Sequence, residues 1–496
     1  MTVSRNARLL VIFMHGSGRY YLDPLLSAGR LPRLDRLRAE GHQRYFHTEL
    51  PIAAGAWVTL LTGQSTATHG IIDYIDRDAR AYDGMAGRMA TSATYRDRTV
   101  QTILSKAGRR IASIYLPMTN PPWPVNGVMI SGFPLADERR PPTCPPELGR
   151  RLPPFSDRRL LSLRYERAED VDTYLRDNLR RIETVTTDIC RDSRYDVILT
   201  CLPTPDLAHH YFWRSDSPEA LERIYGYYDL IDEVIGRLVD VIGDRATVVV
   251  CSDHGGRAAP ARVFGVNRWL MEAGYLSPRT SAAATHRLAR VTNQAVSWAK
   301  RQRLNHAVAR RITGRLRRRV SAMTQNTAFV DWARSRVYGL DFFCPLAGIE
   351  INLAGRQPRG VVAAADYEPL RHEIVERLSA LRDPETSRLV FSRVRLREEM
   401  FQGPHAGRFP DVVGVLDDDY DVKAQLDRPI VAPNHGEPDY PYLGYHGHDA
   451  FFCARGPGIP TGVGPSTSAM RDLAPTLLAL AGVDPPAFME GKPFAM

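Results

Sequence analysis

Lysine is nearly missing from this chain. It stands only at positions 106, 300, 423 and 492, so almost all of the 65 basic residues are arginine. Against 56 acidic residues the net charge is +9. The excess is dispersed rather than gathered in a stripe, so no nucleic-acid partner is expected. It favours small anionic partners such as phosphate or sulfate esters. Cysteine is also scarce. The six thiols, at 144, 190, 201, 251, 344 and 453, form no C-x-x-C pair, which argues for reduced cysteines rather than a disulfide framework. No stretch approaches the roughly 20 apolar residues that cross a bilayer. The apolar run Leu9 to Met14 is too short for a signal-peptide core. A cytoplasmic protein with no transmembrane segment is the expectation.

A chain of 496 residues, 44% hydrophobic and 24% charged, suits one large globular domain with insertions, or two or three smaller ones. Its first 260 residues alternate apolar runs with helical patterns, the sign of a largely parallel sheet wrapped by helices. Leu9–Met14, Ile111–Leu116, Val128–Ser131, Val197–Cys201 and Ala246–Cys251 read as strands, several apolar throughout as central strands are. Leu31 to Gly41 reads as an amphipathic helix ended by glycine, and Trp57–Thr62 as the start of another helix or a buried turn. Pro134 to Pro154 reads as a surface loop. Residues 265–325 read as a basic helical insertion or cap, with Leu304, Val308, Ile312, Leu316 and Val320 recurring every four residues. From Asp331 short strands and turns are expected, then a closing helix at Ala474–Ala481.

Histidine and aspartate cluster at strand ends. His15, Asp206 and Asp253 each stand at or just past the end of an apolar run, where functional groups gather in α/β sheets. Asp206 and His210 are four apart, so a helical turn would put both on one face. Asp253-His254 is an adjacent pair followed by Gly255-Gly256, which permits a bend. His446 and His448 flank a glycine. Mixed carboxylate and imidazole donors suit zinc or a similar divalent ion. A helix cap, a surface pair or hydrogen-bonded histidines are the bland accounts of each piece taken alone.

Longer motifs carry a resemblance. They include Gly29-Arg30-Leu31-Pro32-Arg33-Leu34, Ala56-Trp57-Val58-Thr59-Leu60-Leu61-Thr62-Gly63 with His69-Gly70-Ile71, and Asp206-x-x-x-His210 before Phe212-Trp213. Ser252-Asp253-His254-Gly255, Asp331-Trp332, Ile351-Asn352-Leu353-x-Gly355-Arg356, Arg455-Gly456-Pro457-Gly458-Ile459 and Asp472-Leu473-Ala474-Pro475-Thr476-Leu477 follow. The chain resembles the type I phosphodiesterase/nucleotide pyrophosphatase family of the alkaline phosphatase superfamily, nearly end to end. That resemblance implies an α/β fold with a central, mostly parallel sheet flanked by helices, here with a helical cap insertion. The core would comprise residues 1–264 and 326–496. It also implies a binuclear metal site. Asp206, His210 and His446 take the places of one complete ligand set, and Asp253 and His254 those of most of the second. His448 is then a candidate for contacting a ligand or substrate.

Two positions depart from the family. Where the first strand's aspartate is expected stands His15, itself a possible neutral metal ligand. Nine residues before Thr62, where the family has its Ser or Thr nucleophile, stands Ala53. A methyl cannot attack phosphorus or sulfur, so the usual covalent intermediate is closed to this chain. Three readings follow. The first is a metal-dependent hydrolase of a phospho- or related anionic ester, using a metal-bound water, with zinc first among divalent ions and one ion, or two, held per chain. The second is transfer, lyase or cyclisation chemistry with the metal as Lewis acid. The third is a catalytically dead binding protein. Ser17, two residues past His15, is a substitute nucleophile to weigh against a plain turn serine. His69 is expected to hold a turn. Arg19, Arg214 and Arg356 are candidate anion clamps.

Overall fold

The computed structural model describes residues 7–135, 140–153, 168–213, 217–280, 327–342, 346–434 and 444–496, with positions 284, 287, 290, 291 and 294. They form two compact units. The first comprises Met1–Tyr74, Met89–Ala259 and Pro441–Met496, and the second Ile75–Arg88 and Pro260–Tyr440.

The first unit is built on a nine-stranded sheet. Its strands run in the order Gly462–Val463, His42–His47, Asp449–Arg455, Thr247–Cys251, Leu9–Met14, Val197–Leu202, Ile111–Leu116, Gly127–Ser131 and Thr143–Cys144. Leu9–Met14 lies between Val197–Leu202 and Thr247–Cys251, parallel to both, with Phe13 level with Cys201 on one side and Cys251 on the other. All three strands are buried throughout. Their side chains serve two cores in alternation. Leu10, Ile12 and Met14 pack with the helices Arg19–Ser27, Pro32–Ala39, Ala168–Arg191, Thr204–Phe212 and Pro218–Ile242. Leu9, Val11 and Phe13 pack with Ala53–Thr62, Val100–Lys106 and Leu473–Leu480. Because the three parallel strands are in register, the loops that leave their carboxyl ends lie side by side. The antiparallel pairings are those of Asp449–Arg455 with both of its neighbours and of Thr143–Cys144 at the edge.

Three expectations need adjustment. The helix around Trp57 begins earlier, at Ala53. The proline-rich stretch after Pro134 is a loop only in part. Thr143–Cys144 extends the sheet edge, where a strand hemmed by Pro142 and Pro145 is tolerated because one side needs no backbone donors. After Asp331 the chain also forms the 16-residue helix Ala364–Ser379. Leu370, Ile374 and Leu378 bury one face of it, although Pro369 reads as a break. That helix packs on Phe391–Leu396 in the second unit, whose four-stranded antiparallel sheet runs Val337–Asp341, Leu346–Ile351, Val412–Leu416, Phe391–Leu396. Of the basic insertion, residues 265–280 are described and carry the helix Val266–Glu272. The Leu304 to Val320 stripe lies outside the described residues. Among the described residues no helix is long and apolar enough to cross a membrane.

Candidate metal centre

Three loops at the carboxyl ends of the central strands meet. The His15 amide donates to Leu202 O (3.2 Å), and the Asp206 amide donates to His15 O (3.1 Å). Between them Gly16 has φ +76°, and a Cβ there would lie 2.9 Å from Asp206 Cβ. Glycine is therefore demanded twice, by conformation and by contact. Thr204–Phe212 then turns Asp206 and His210 to one face. Asp253 and His254 follow Thr247–Cys251, and the chain bends into Gly255–Arg257, which pairs antiparallel with Tyr445–Gly447. Gly256 stands opposite His446, and this register brings a histidine from near the carboxyl end to the same place.

All six sequence-predicted site residues come together and are buried. Asp206 Oδ1 lies 3.4 Å from Nε2 of both His210 and His446, and Asp206 Oδ2 lies 3.4 Å from His15 Nε2. The Nε2 atoms of His210 and His446 are 3.1 Å apart. Ligand atoms of Asp206, His210 and His446 lie within 4.8 Å of one another, as do those of His15, Asp206 and His254. Asp206 is common to both groups. Asp253 works through two oxygens: Oδ1 accepts from His15 Nδ1 (2.8 Å) and the Gly16 amide (3.2 Å), while Oδ2 faces His254 Nε2 at 3.2 Å.

The tautomers follow from the far side of each ring. Nδ1 of His210 donates to Gly444 O (3.0 Å), that of His446 to Pro51 O (2.6 Å) and that of His254 to Gly255 O (3.0 Å). With those protons placed, the three Nε2 lone pairs point into the cluster. Trp57 Nε1 comes within 3.2 Å of His15 Nδ1, but that nitrogen holds one proton, and the closer, charged Asp253 takes it. Burial alone would lower the His15 pKa, and Asp253 and Asp206 override it, pushing it up to about 9. Burial pushes His254 down to about 3 against the pull of Asp253. It would raise Asp206, but His210 and His15 hold that carboxyl well below its ordinary range. Without an ion the two carboxylates thus favour the protonated ring, and His15 must release a proton before its Nε2 can join a ligand set.

Ala53 opens its helix and is buried. The segment around it touches the cluster twice, through Pro51 O on His446 and Trp57 on His15. The other sequence candidates lie elsewhere. Ser17 Oγ is fully buried and turned to Tyr228 Oη at 3.4 Å. His69 holds a turn, with Thr59 Oγ1 at 2.9 Å and the Ile71 amide donating to its Nδ1. His448 donates from Nδ1 to Thr48 O and stacks on His47. Arg19 lies over the Tyr45 ring, Arg356 is bound to Asp411 in the second unit, and Arg214 lies outside the described residues. Sequence reasoning missed His209, buried beside His210 with Nε2 at 2.9 Å from Tyr228 Oη. The doubled histidine was its one signal. The carbonyls of Pro51 and Gly444 had none, since every residue carries a carbonyl.

The type I phosphodiesterase / nucleotide pyrophosphatase family matches residues 9–449, and the chain belongs to that family, within the alkaline phosphatase superfamily. Solved structures share its fold. Human ectonucleotide pyrophosphatase/phosphodiesterase 5 is 13% identical with a TM-score of 0.53, the match covering 98% of this chain and 96% of that one. The murine counterpart, an inactive threonine-to-alanine variant in complex with AMP, is 13% identical with a TM-score of 0.54, covering 97% and 96%. Phosphonoacetate hydrolase from Sinorhizobium meliloti 1021, in complex with phosphonoacetate, is 17% identical with a TM-score of 0.55, covering 96% of each chain. No curated protein sequence matches the chain.

Proposed function

We propose that this protein is a metal-dependent hydrolase of a phosphate ester or related small anionic ester. Asp206, His210 and His446 hold one divalent ion, zinc by preference, and His15, Asp253 and His254 form the place for a second. The observation that carries this reading is the convergence of Nε2 atoms on Asp206, with Nδ1 of each ring tied to an outer acceptor. Metal-ligating histidines are oriented in this way. The residues fit a cation on two further counts. Lone pairs of His210 and His446 that face each other at 3.1 Å repel unless a positive charge lies between them. Asp253 Oδ2 and His254 Nε2 are fully buried, and neither has a hydrogen-bond partner among the described residues, which is costly for polar groups without a ligand.

An ion bound there supplies Lewis acidity and a water acidic enough to attack near neutral pH. The chain's own part follows from its side chains. Ala53 removes the covalent route, so the attacking group comes from outside the protein. His15 in place of a carboxylate takes one negative charge from the second locus, which weakens its hold on a cation and lessens its repulsion of an anionic substrate. A second reading is a protein that binds such an anion without cleaving it. Ala53 favours it, since the murine neighbour combines a threonine-to-alanine change, inactivity and bound AMP. Elemental analysis of protein purified without chelator tests the metal: at least one divalent ion per chain is expected, and finding none removes the hydrolase reading, with any Lewis-acid chemistry, and leaves the binder. Turnover of an aryl phosphodiester by the loaded protein separates hydrolase from binder.

A further inference from the structure

One buried histidine that the centre does not use is His209. It precedes His210 on Thr204–Phe212, so its side chain leaves the helix about 100° away and enters the core behind the cluster. Its ring stacks on Tyr21 with centroids 3.9 Å apart and planes 13° off parallel. Nε2 meets Tyr228 Oη at 2.9 Å, and Tyr228 Oη reaches Ser17 Oγ at 3.4 Å. Ser17 O in turn accepts from Ser252 Oγ at 2.6 Å. Two glycines let the chain close on His209, one against its ring and one against its backbone. A Cβ at Gly256 would lie 2.4 Å from His209 Nδ1, and one at Gly444 would lie 2.6 Å from His209 O.

Apart from Tyr228, which lies on Pro218–Ile242, these contacts fall on segments that supply the cluster. Ser17 follows His15 by two residues, and Tyr21 lies in the first turn of the helix after it. Ser252 precedes Asp253, and Gly256 follows His254 by two. Gly444 precedes His446 by two, and its carbonyl holds His210 Nδ1. A leucine of similar volume would fill the space but would not reach Tyr228. The imidazole adds one directional bond, from Nε2–H to Tyr228 Oη, which leaves the Tyr228 hydroxyl to donate toward Ser17 Oγ. Nδ1 then bears only a lone pair, and it has no partner among the described residues. A buried lone pair is the less costly of the two tautomeric choices, because an orphaned N–H is rarer in native structures than an under-satisfied acceptor.

We infer that His209 and Tyr228 are positioning residues of the metal centre, keying the His15 loop to the helix that carries Asp206 and His210. This rests on the metal reading above. The test is Zn²⁺ affinity by competition with a chromophoric chelator, together with the visible spectrum of the Co²⁺-loaded protein. Tyr228→Phe removes one hydroxyl and keeps the ring. It is expected to weaken Zn²⁺ binding several-fold, short of the roughly tenfold or more that loss of a direct partner of a ligand costs, because Tyr228 acts through His209 and Ser17. It should also shift the Co²⁺ bands while leaving the metal-free melting temperature within a few degrees of wild type. His209→Leu should do the same, and His209→Gln, which retains a donor at the Nε2 position, should recover most of the affinity. Wild-type affinity and spectrum in Tyr228→Phe overturn the inference, as does a lowered metal-free stability with unchanged affinity. A wild-type protein that holds no ion overturns the metal reading itself, and this inference with it.

Discussion

Each unit of this protein buries a knot of ionisable side chains, and the two are finished differently. In the second unit Asp411 is fully buried. Its Oδ1 accepts from Arg356 (2.7 Å), Tyr367 (2.7 Å) and Arg397 (3.1 Å), and its Oδ2 accepts from the Ile351 amide (2.8 Å). Burial would raise its pKa, and Arg356 reverses that. Positive and negative groups there answer one another within the protein. In the first unit acceptors meet acceptors: Nε2 faces Nε2, and Asp253 Oδ2 stands beside His254 Nε2 without a hydrogen-bond partner among the described residues. A knot closed by its own countercharges is explained by folding. One composed of donors for a cation is explained by a ligand. What separates the two is whether the buried polar atoms find partners within the protein.

The comparison breaks first at Asp206, the residue both ligand groups share. Asp206→Ala, or His446→Ala, is expected to abolish activity and the tightly held ion. The loss of metal affinity should exceed the roughly 100-fold that removing an outer partner costs. Elemental analysis and turnover measure it, and retention of either in Asp206→Ala contradicts the assignment. Removing the Asp206 carboxylate should cost the metal-free protein stability as well, because His210 and His15 hold that carboxyl well below its ordinary pKa range and lose their partner. Asp411→Ala should cost stability and spare the metal. It leaves Arg356 and Arg397 without their buried countercharge and should destabilise by about 3–5 kcal/mol, read by denaturant titration, with the metal content per folded chain unchanged. Metal loss from folded Asp411→Ala would show that the two knots are not independent.

The contrast also decides what could be read from the sequence. Leu9–Met14, Val197–Leu202 and Thr247–Cys251 were legible to within a residue, because strands covered on both faces must be apolar at every position. Asp206, His210, Asp253, His254 and His446 were legible as candidates because each follows such a strand or repeats a motif. Their division of labour was not. That Asp253 holds His15 with one oxygen and meets His254 with the other depends on a rotamer, and rotamers leave no trace in composition. The start of the helix at Ala53 was hidden too, since Ala53-Ala54-Gly55 has no polar face to give a period. In Ala364–Ser379 the four-residue spacing was present, and Pro369 masked it.

Restoring the missing hydroxyl sharpens the comparison from the side of the first unit. Ala53→Ser places an oxygen at the head of its helix, yet His15 still stands where the family has aspartate. Less than a tenfold rise in aryl phosphodiester turnover is expected, and no trapped phospho-enzyme. A large gain would mean that the second ion is already bound well and that the alanine alone limits the reaction.

The smallest effect tests closure in the second unit from its weakest point. Glu350 lies 3.2 Å from Arg356 and is buried. Burial, then the neighbouring Asp411, pushes its pKa well above the ordinary value, which favours its protonated form in the knot. The sign of the linkage is fixed by that direction. The folded state holds a proton that the unfolded chain releases above about pH 4.3, so this group's contribution to stability is full at lower pH and declines as the pH rises. Glu350→Gln keeps the shape and removes the titration. It should therefore unfold at a slightly higher denaturant midpoint than wild type at pH 8, with the advantage closing toward pH 4. A variant less stable than wild type at pH 8 would mean that Glu350 is ionised and paired with Arg356. The second knot would then hold two carboxylates against its arginines, and its charges would balance by a different count.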